Sequence, residues 1–151
     1  MKTLIAILII VAFLQTTILP IDLVLIILIC RSYIKVGKLN LILGFWLGLL
    51  VSFLDLTPLG VQAVIYLFII QLVQVLSKFP LAGNSLLIVP ISLILLSLNH
   101  FFISLAAQTT TQLFPKVIVE SLLSLPVLYL LRLWEDRFFV RKEIRLKIAK
   151  H

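Results

Sequence analysis

Against an otherwise apolar background, three side chains have the chemistry to act: Asn99, its neighbour His100, and Glu120. An imidazole and a carboxylate can pair, relay a proton or hold a ligand. In an apolar medium an ionisable group is expensive unless it faces protein, water or a partner. Three roles are therefore open for His100 and Glu120: an internal structural pair, snorkelling to an interface, or a ligand or proton site. A second group is Asp55-Leu56-Thr57-Pro58-Leu59-Gly60. Pro58 and Gly60 favour a tight turn, and Asp55 or Thr57 can accept the free amide hydrogens of the helix that follows. The other role for Asp55 is contact with a ligand or partner. No serine-nucleophile, metalloprotease or phosphate-loop motif occurs, and the chain's six acidic residues are scattered. The single cysteine, Cys30, excludes an intrachain disulfide and any multi-cysteine metal site, and reads as an apolar helix residue. We expect a non-enzymatic protein with no cofactor and no catalytic or metal-ligating set.

The elements that must position these residues are apolar. Of 151 residues 62% are hydrophobic and 13% charged, whereas a soluble domain is roughly half apolar and about a quarter charged. A small soluble core cannot absorb that excess, but a bilayer can. Six apolar runs are visible, at about Thr3–Leu19, Ile21–Ile34, Leu39–Leu54, Leu59–Leu76, Ser85–Leu105 and Leu113–Leu131. The expectation is an all-α polytopic membrane protein of about six transmembrane helices, in one bundle spanning residues 1–151. Pro20-Ile21-Asp22 breaks the first long run. Lys78, Pro80, Gly83 and Asn84 make a turn, and Gln108 to Gln112 a polar loop. The second run is short: as a helix it would reach about 21 Å, against a hydrocarbon layer of about 30 Å. It must be shielded by its neighbours or form half of a broken hairpin with the first.

Charge sets the expected orientation. The net charge is +7, and seven of the thirteen Lys and Arg lie from Arg132 onward, after the last apolar run. With six helices and the N-terminus inside, twelve of the thirteen lie on the cytoplasmic side and only Lys116 lies outside. Fusing the first two runs into one helix keeps the tail inside but moves Lys2 outside. The tail, residues 132–151, carries Arg132, Arg137, Arg141, Lys142 and Arg145, with Trp134, Phe138 and Phe139 interleaved. It reads as an orientation determinant lying against anionic headgroups, or as a docking surface for a cytoplasmic partner. Its placement after a run of apolar helices argues against nucleic acid.

Gly44, Gly48 and Ser52 stand four residues apart and place small side chains on one face of the third helix. Lacking a hydrophobic drive between helices in lipid, helices pack by close approach over small residues. This face serves packing within the bundle or contact with another protein, and on either reading Gly48→Ala is expected to be mild.

Several features together resemble the MreD family of bacterial rod shape-determining membrane proteins. The residues that carry the resemblance are Pro20-Ile21-Asp22-Leu23, Gly44-Phe45-Trp46-Leu47-Gly48-Leu49, Pro58-Leu59-Gly60-Val61-Gln62-Ala63, and Leu130-Leu131-Arg132-Leu133-Trp134 leading into the basic tail. One position departs: Ser52 stands where that family commonly has an aspartate, with Asp55 about one turn later. The resemblance implies a multi-pass scaffold of the bacterial plasma membrane that acts in cell elongation. Its implied partners are MreC, the actin-like MreB filament, and the RodA–penicillin-binding-protein pair that makes peptidoglycan. It also implies a fold similar to the substrate-binding S-component of energy-coupling-factor transporters. A vitamin or small-molecule uptake subunit is therefore the alternative function.

Overall fold

A computed structural model of the chain describes residues 2–18, 21–56, 58–79, 85–108 and 114–148; the side chains of residues 85, 107, 114 and 138–148 fall outside that description. Pro20, Thr57, Pro80, Gly83, Asn84 and residues 109–112 lie outside the described residues, as do the tail side chains of Arg141, Lys142 and Arg145.

The described residues are all-helical. Their order is α1 (Lys2–Thr17), α2 (Leu23–Ile34), α3 (Lys38–Leu54), α4 (Val61–Leu76), a 3-10 turn at Ser85–Leu87, α5 (Ile88–Ala107) and α6 (Phe114–Ile148). Two stretches are long and apolar enough to cross a membrane: Ile88–Ala106 in α5 and Pro115–Arg137 in α6. The other four helices are apolar but have only 12 to 17 residues.

α2 is the hub. Its 12 residues include Val24, Leu25, Ile26, Leu28, Ile29 and Cys30, all fully buried, and it packs against each of the other five helices. A helix this apolar on every side belongs in an interior. At 1.5 Å per residue it is about 18 Å long, so the short second run is a core helix shielded by its neighbours. α1 and α2 are separate helices, with Ile21 and Asp22 between them outside helical structure.

Around this hub, α3 pairs with α4 and α5 with α6. The outward faces of the outer helices are apolar too. Ile10 on α1, Trp46 and Phe53 on α3, Val64 on α4, Ile94 on α5 and Leu130 on α6 are all more than half exposed.

α6 departs from the sequence reading. The helix does not stop near Leu131 but runs on through the basic segment to Ile148, about 52 Å at the helical rise. Pro126 lies inside it, where a proline removes one backbone hydrogen bond. Its ring is exposed, so it does not disturb the core.

Candidate functional site

Burying a short helix creates a problem at both ends, because its first amides, last carbonyls and flanking charges sit away from bulk water. Polar side chains from other elements solve it at each end of α2.

At the first end, Gln15 Oε1 on α1 accepts a hydrogen bond from the Val24 amide at 3.0 Å. Glu120 Oε1 on α6 accepts one from the Asp22 amide, also at 3.0 Å. The other oxygen of Glu120 lies 3.1 Å from His100 Nε2 on α5. His100 Nε2 is in turn 3.5 Å from Asp22 Oδ2, and Asn99 Nδ2 donates to the same oxygen at 3.4 Å. Glu120 and Asn99 are fully buried and His100 nearly so. Lys116, one helical turn before Glu120, brings its Nζ to 4.0 Å from Oε1. The structure thus brings His100 and Glu120 together and adds Asp22 as a third member.

In the sequence Asp22 stands out as a helix breaker and in the Pro20–Leu23 pattern, and neither points to its place here. A signal was available: in the six-helix arrangement, the α1–α2 break lies at the same end of the bundle as His100 and Glu120. Gln15 gives no such signal in the sequence. A buried glutamine in an apolar helix reveals its partner only when the neighbouring helix start is in place.

At the second end, Arg31 Nε donates to Asn40 Oδ1 at 2.9 Å, and Asn40 Nδ2 donates to the Lys35 carbonyl at 2.6 Å. Gln74 on α4 donates to the Gly37 carbonyl at 3.0 Å. Arg31 lies in the field of Glu135 on α6, and Tyr33 in that of Arg132. These contacts place Arg31, Lys35, Lys38 and Lys78 at the end of the bundle where α6 carries Arg132 and Arg137. Asp22, Asp55, Lys116 and Glu120 occupy the opposite end.

The small-residue face turns inward. A Cβ on Gly48 would fall 2.5 Å from Ala63 Cα and 2.9 Å from Ala63 N, so α3 and α4 meet there backbone to backbone. Even alanine is therefore too large, and the expectation that Gly48→Ala is mild is corrected. A Cβ on Gly44 would meet the side-chain end of Ile70, which can rotate away. Ser52 is fully buried, and its Oγ donates to the Pro58 carbonyl at 2.9 Å, fixing the turn after α3. All three residues face the bundle interior.

Asp55 does not cap α4. Gly60 holds that position with φ at 95°, a left-handed conformation glycine adopts without strain, and it has no side chain to cap with. Asp55 instead ends α3 and stays exposed. Loss of some of its hydration against the neighbouring chain raises its carboxyl above the ordinary range, and the Lys116 charge opposes this. Leu56 beside it is 93% exposed with φ at 55°.

The cysteine is buried, and its Sγ donates to the Ser124 carbonyl at 3.4 Å. Ser124 also meets Ser92 at 3.0 Å, so small residues link α2, α5 and α6 at mid-height.

An apolar groove of about 1180 Å³ opens between α1 and α6. Leu4, Ile7 and Leu8 line one wall and Leu130 and Leu131 the other, with Ile27 of α2 among the remaining lining residues. Trp134, Asp136 and Arg137 stand at the end that carries the basic residues. No family model, curated protein or solved structure matches the chain.

Proposed function

We propose that this chain is a six-span membrane scaffold of the MreD kind, with both termini cytoplasmic, that recruits partner transmembrane helices to the bacterial cell-elongation machinery. The observation that carries the scaffold reading is the apolar groove between α1 and α6. A polar vitamin needs several convergent hydrogen-bonding groups, and this groove offers a wall of leucine and isoleucine. An apolar helix laid against α1 and α6 is the occupant such a wall fits. The tryptophan and the charged pair at its end are of the types that anchor at a membrane interface.

Crossings by the five outer helices are supported by their outward apolar faces, and α2, enclosed by them, is the sixth of the proposal. The orientation is supported by the collection of basic residues at one end of the bundle. The buried polar latches support shortened helices, since backbone and charge inside an apolar layer must be satisfied internally.

The alternative, an uptake subunit, draws on the polar cluster around Glu120. Depletion in the native cell separates the two. Rods rounding into spheres with vitamin uptake intact is the expected result, and normal shape with lost uptake would overturn the scaffold.

A further inference from the structure

We infer that Asp22, His100 and Glu120, with Asn99, form a binding site for one divalent transition-metal cation. The three ligand atoms, one imidazole nitrogen and two carboxylate oxygens, lie within 4.8 Å of one another. The two spacings that involve His100 fit a metal. With bonds of about 2.0–2.2 Å to nitrogen and oxygen, neighbouring ligands stand roughly 3.0–3.5 Å apart in tetrahedral or octahedral geometry. His100 Nε2 is 3.1 Å from Glu120 Oε2 and 3.5 Å from Asp22 Oδ2.

A second observation is independent of these three. Asn99 is fully buried, and its amide end reaches the cluster, with Nδ2 3.4 Å from Asp22 Oδ2. Its Oδ1 is buried with no hydrogen-bond partner, and a buried acceptor left unpaired is costly. The two ends of an amide exchange by rotation about the terminal bond. That rotation delivers Oδ1 to the position now held by Nδ2, which puts an oxygen against the Asp22 carboxylate. The arrangement is repulsive unless a cation lies between them. With a cation present, Asn99 supplies a fourth donor oxygen.

The donor set defines the cation class. One imidazole with two carboxylates and an amide oxygen suits Zn²⁺ or Mn²⁺, whereas an all-oxygen cage would be needed to favour Mg²⁺ or Ca²⁺. Asp22 is the least buried of the three ligands and lies beside the chain break between α1 and α2, so a cation enters from the end of the bundle that carries Asp55. Lys116 is the competing charge: 38% exposed, it reaches Glu120 at 4.0 Å. The site holds whether or not the chain is a scaffold, because its readout is binding by the isolated protein.

The test uses the untagged full chain in detergent, stripped with chelator and dialysed against micromolar Zn²⁺ or Mn²⁺ in excess Mg²⁺. About one metal per chain is expected, falling at least tenfold in Asp22→Asn, His100→Gln and Glu120→Gln. Lys116→Met should bind more tightly than the parent. Ser97→Ala, at a hydroxyl that bonds only within α5, serves as the control and should bind normally. For variants that fail to fold, Co²⁺ loading of the parent gives a second readout: visible bands of a nitrogen- and oxygen-ligated ion, unchanged when His151 is replaced by alanine. Metal content equal in the parent and a folded Glu120→Gln, or bands that vanish with His151, would overturn the site.

Discussion

His100 and Glu120, twenty residues apart, meet at 3.1 Å across the α5–α6 pair, and the same carboxylate reaches back with its second oxygen to the Asp22 amide at 3.0 Å. One side chain therefore holds three elements: α5, α6 and the start of α2. Its two oxygens have separate tasks, pairing with an imidazole and receiving the amide of Asp22 just before a buried helix, so substitutions can separate them.

Removing the imidazole with His100→Leu leaves two carboxylates close together, with Lys116, Asn99 and the Asp22 amide still beside them. A loss of about 3–5 kcal/mol is expected, the scale for breaking a buried pair. Glu120→Gln keeps an oxygen for the Asp22 amide and should cost less. Combined with His100→Leu, it should restore part of the stability lost by the single change. Unfolding in detergent measures all three, and a double change equal to the sum of the singles would mean that the two side chains act separately.

At the α3–α4 crossing, Gly48→Ala should destabilise by about 1–3 kcal/mol, the range for overpacking a closed contact. Gly44→Ala should lie well below it, because the atom it meets is the free end of Ile70. Equal melting temperatures for the two variants would show that the helices can part at Ala63.

Asn40→Leu deletes the acceptor of Arg31 Nε and the donor to the Lys35 carbonyl together. Losing these two hydrogen bonds should cost about 0.5–1.5 kcal/mol each. Protease accessibility of the 35–37 connection should rise along with the loss of stability. A variant as stable as the parent would mean that water reaches this end of α2 freely.

For the proposed orientation, single cysteines at Leu56 and Gln108 should react with an impermeant thiol reagent added to intact cells. Cysteines at Val36 and Arg145 should react only after permeabilisation. Cys30, buried in the bundle, can stay in the background. Labelling of position 145 from outside would invert the whole arrangement.

For the groove, Ile7→Trp and Leu130→Trp place bulk where a partner helix would lie, at side chains that are 41% and 64% exposed. Melting temperature should hold while rod shape and partner recovery are lost. Normal shape with both tryptophans present would mean that the groove meets only lipid.

Most of the helices are legible in local composition. Apolar runs separated by Asp22 and by the Pro58–Gly60 turn mark where α1 to α4 start and stop, since those signals are local, whereas the charges after Leu131 do not stop α6, which runs on to Ile148. The sequence by itself also placed His100 and Glu120 at similar depth on adjacent helices, because helical rise is constant. Other features were decided only by tertiary structure. That α2 lies inside depends on five other helices closing around it, and its own composition is equally apolar on a lipid-facing helix. That Asp22 joins His100 and Glu120 depends on the angle at which α1 and α2 meet. That Gly48 faces Ala63 closely enough to exclude a methyl group depends on the rotation of α3 about its axis. Rotation and crossing angle are set by how side chains of distant elements interdigitate, and no local run of residues records them.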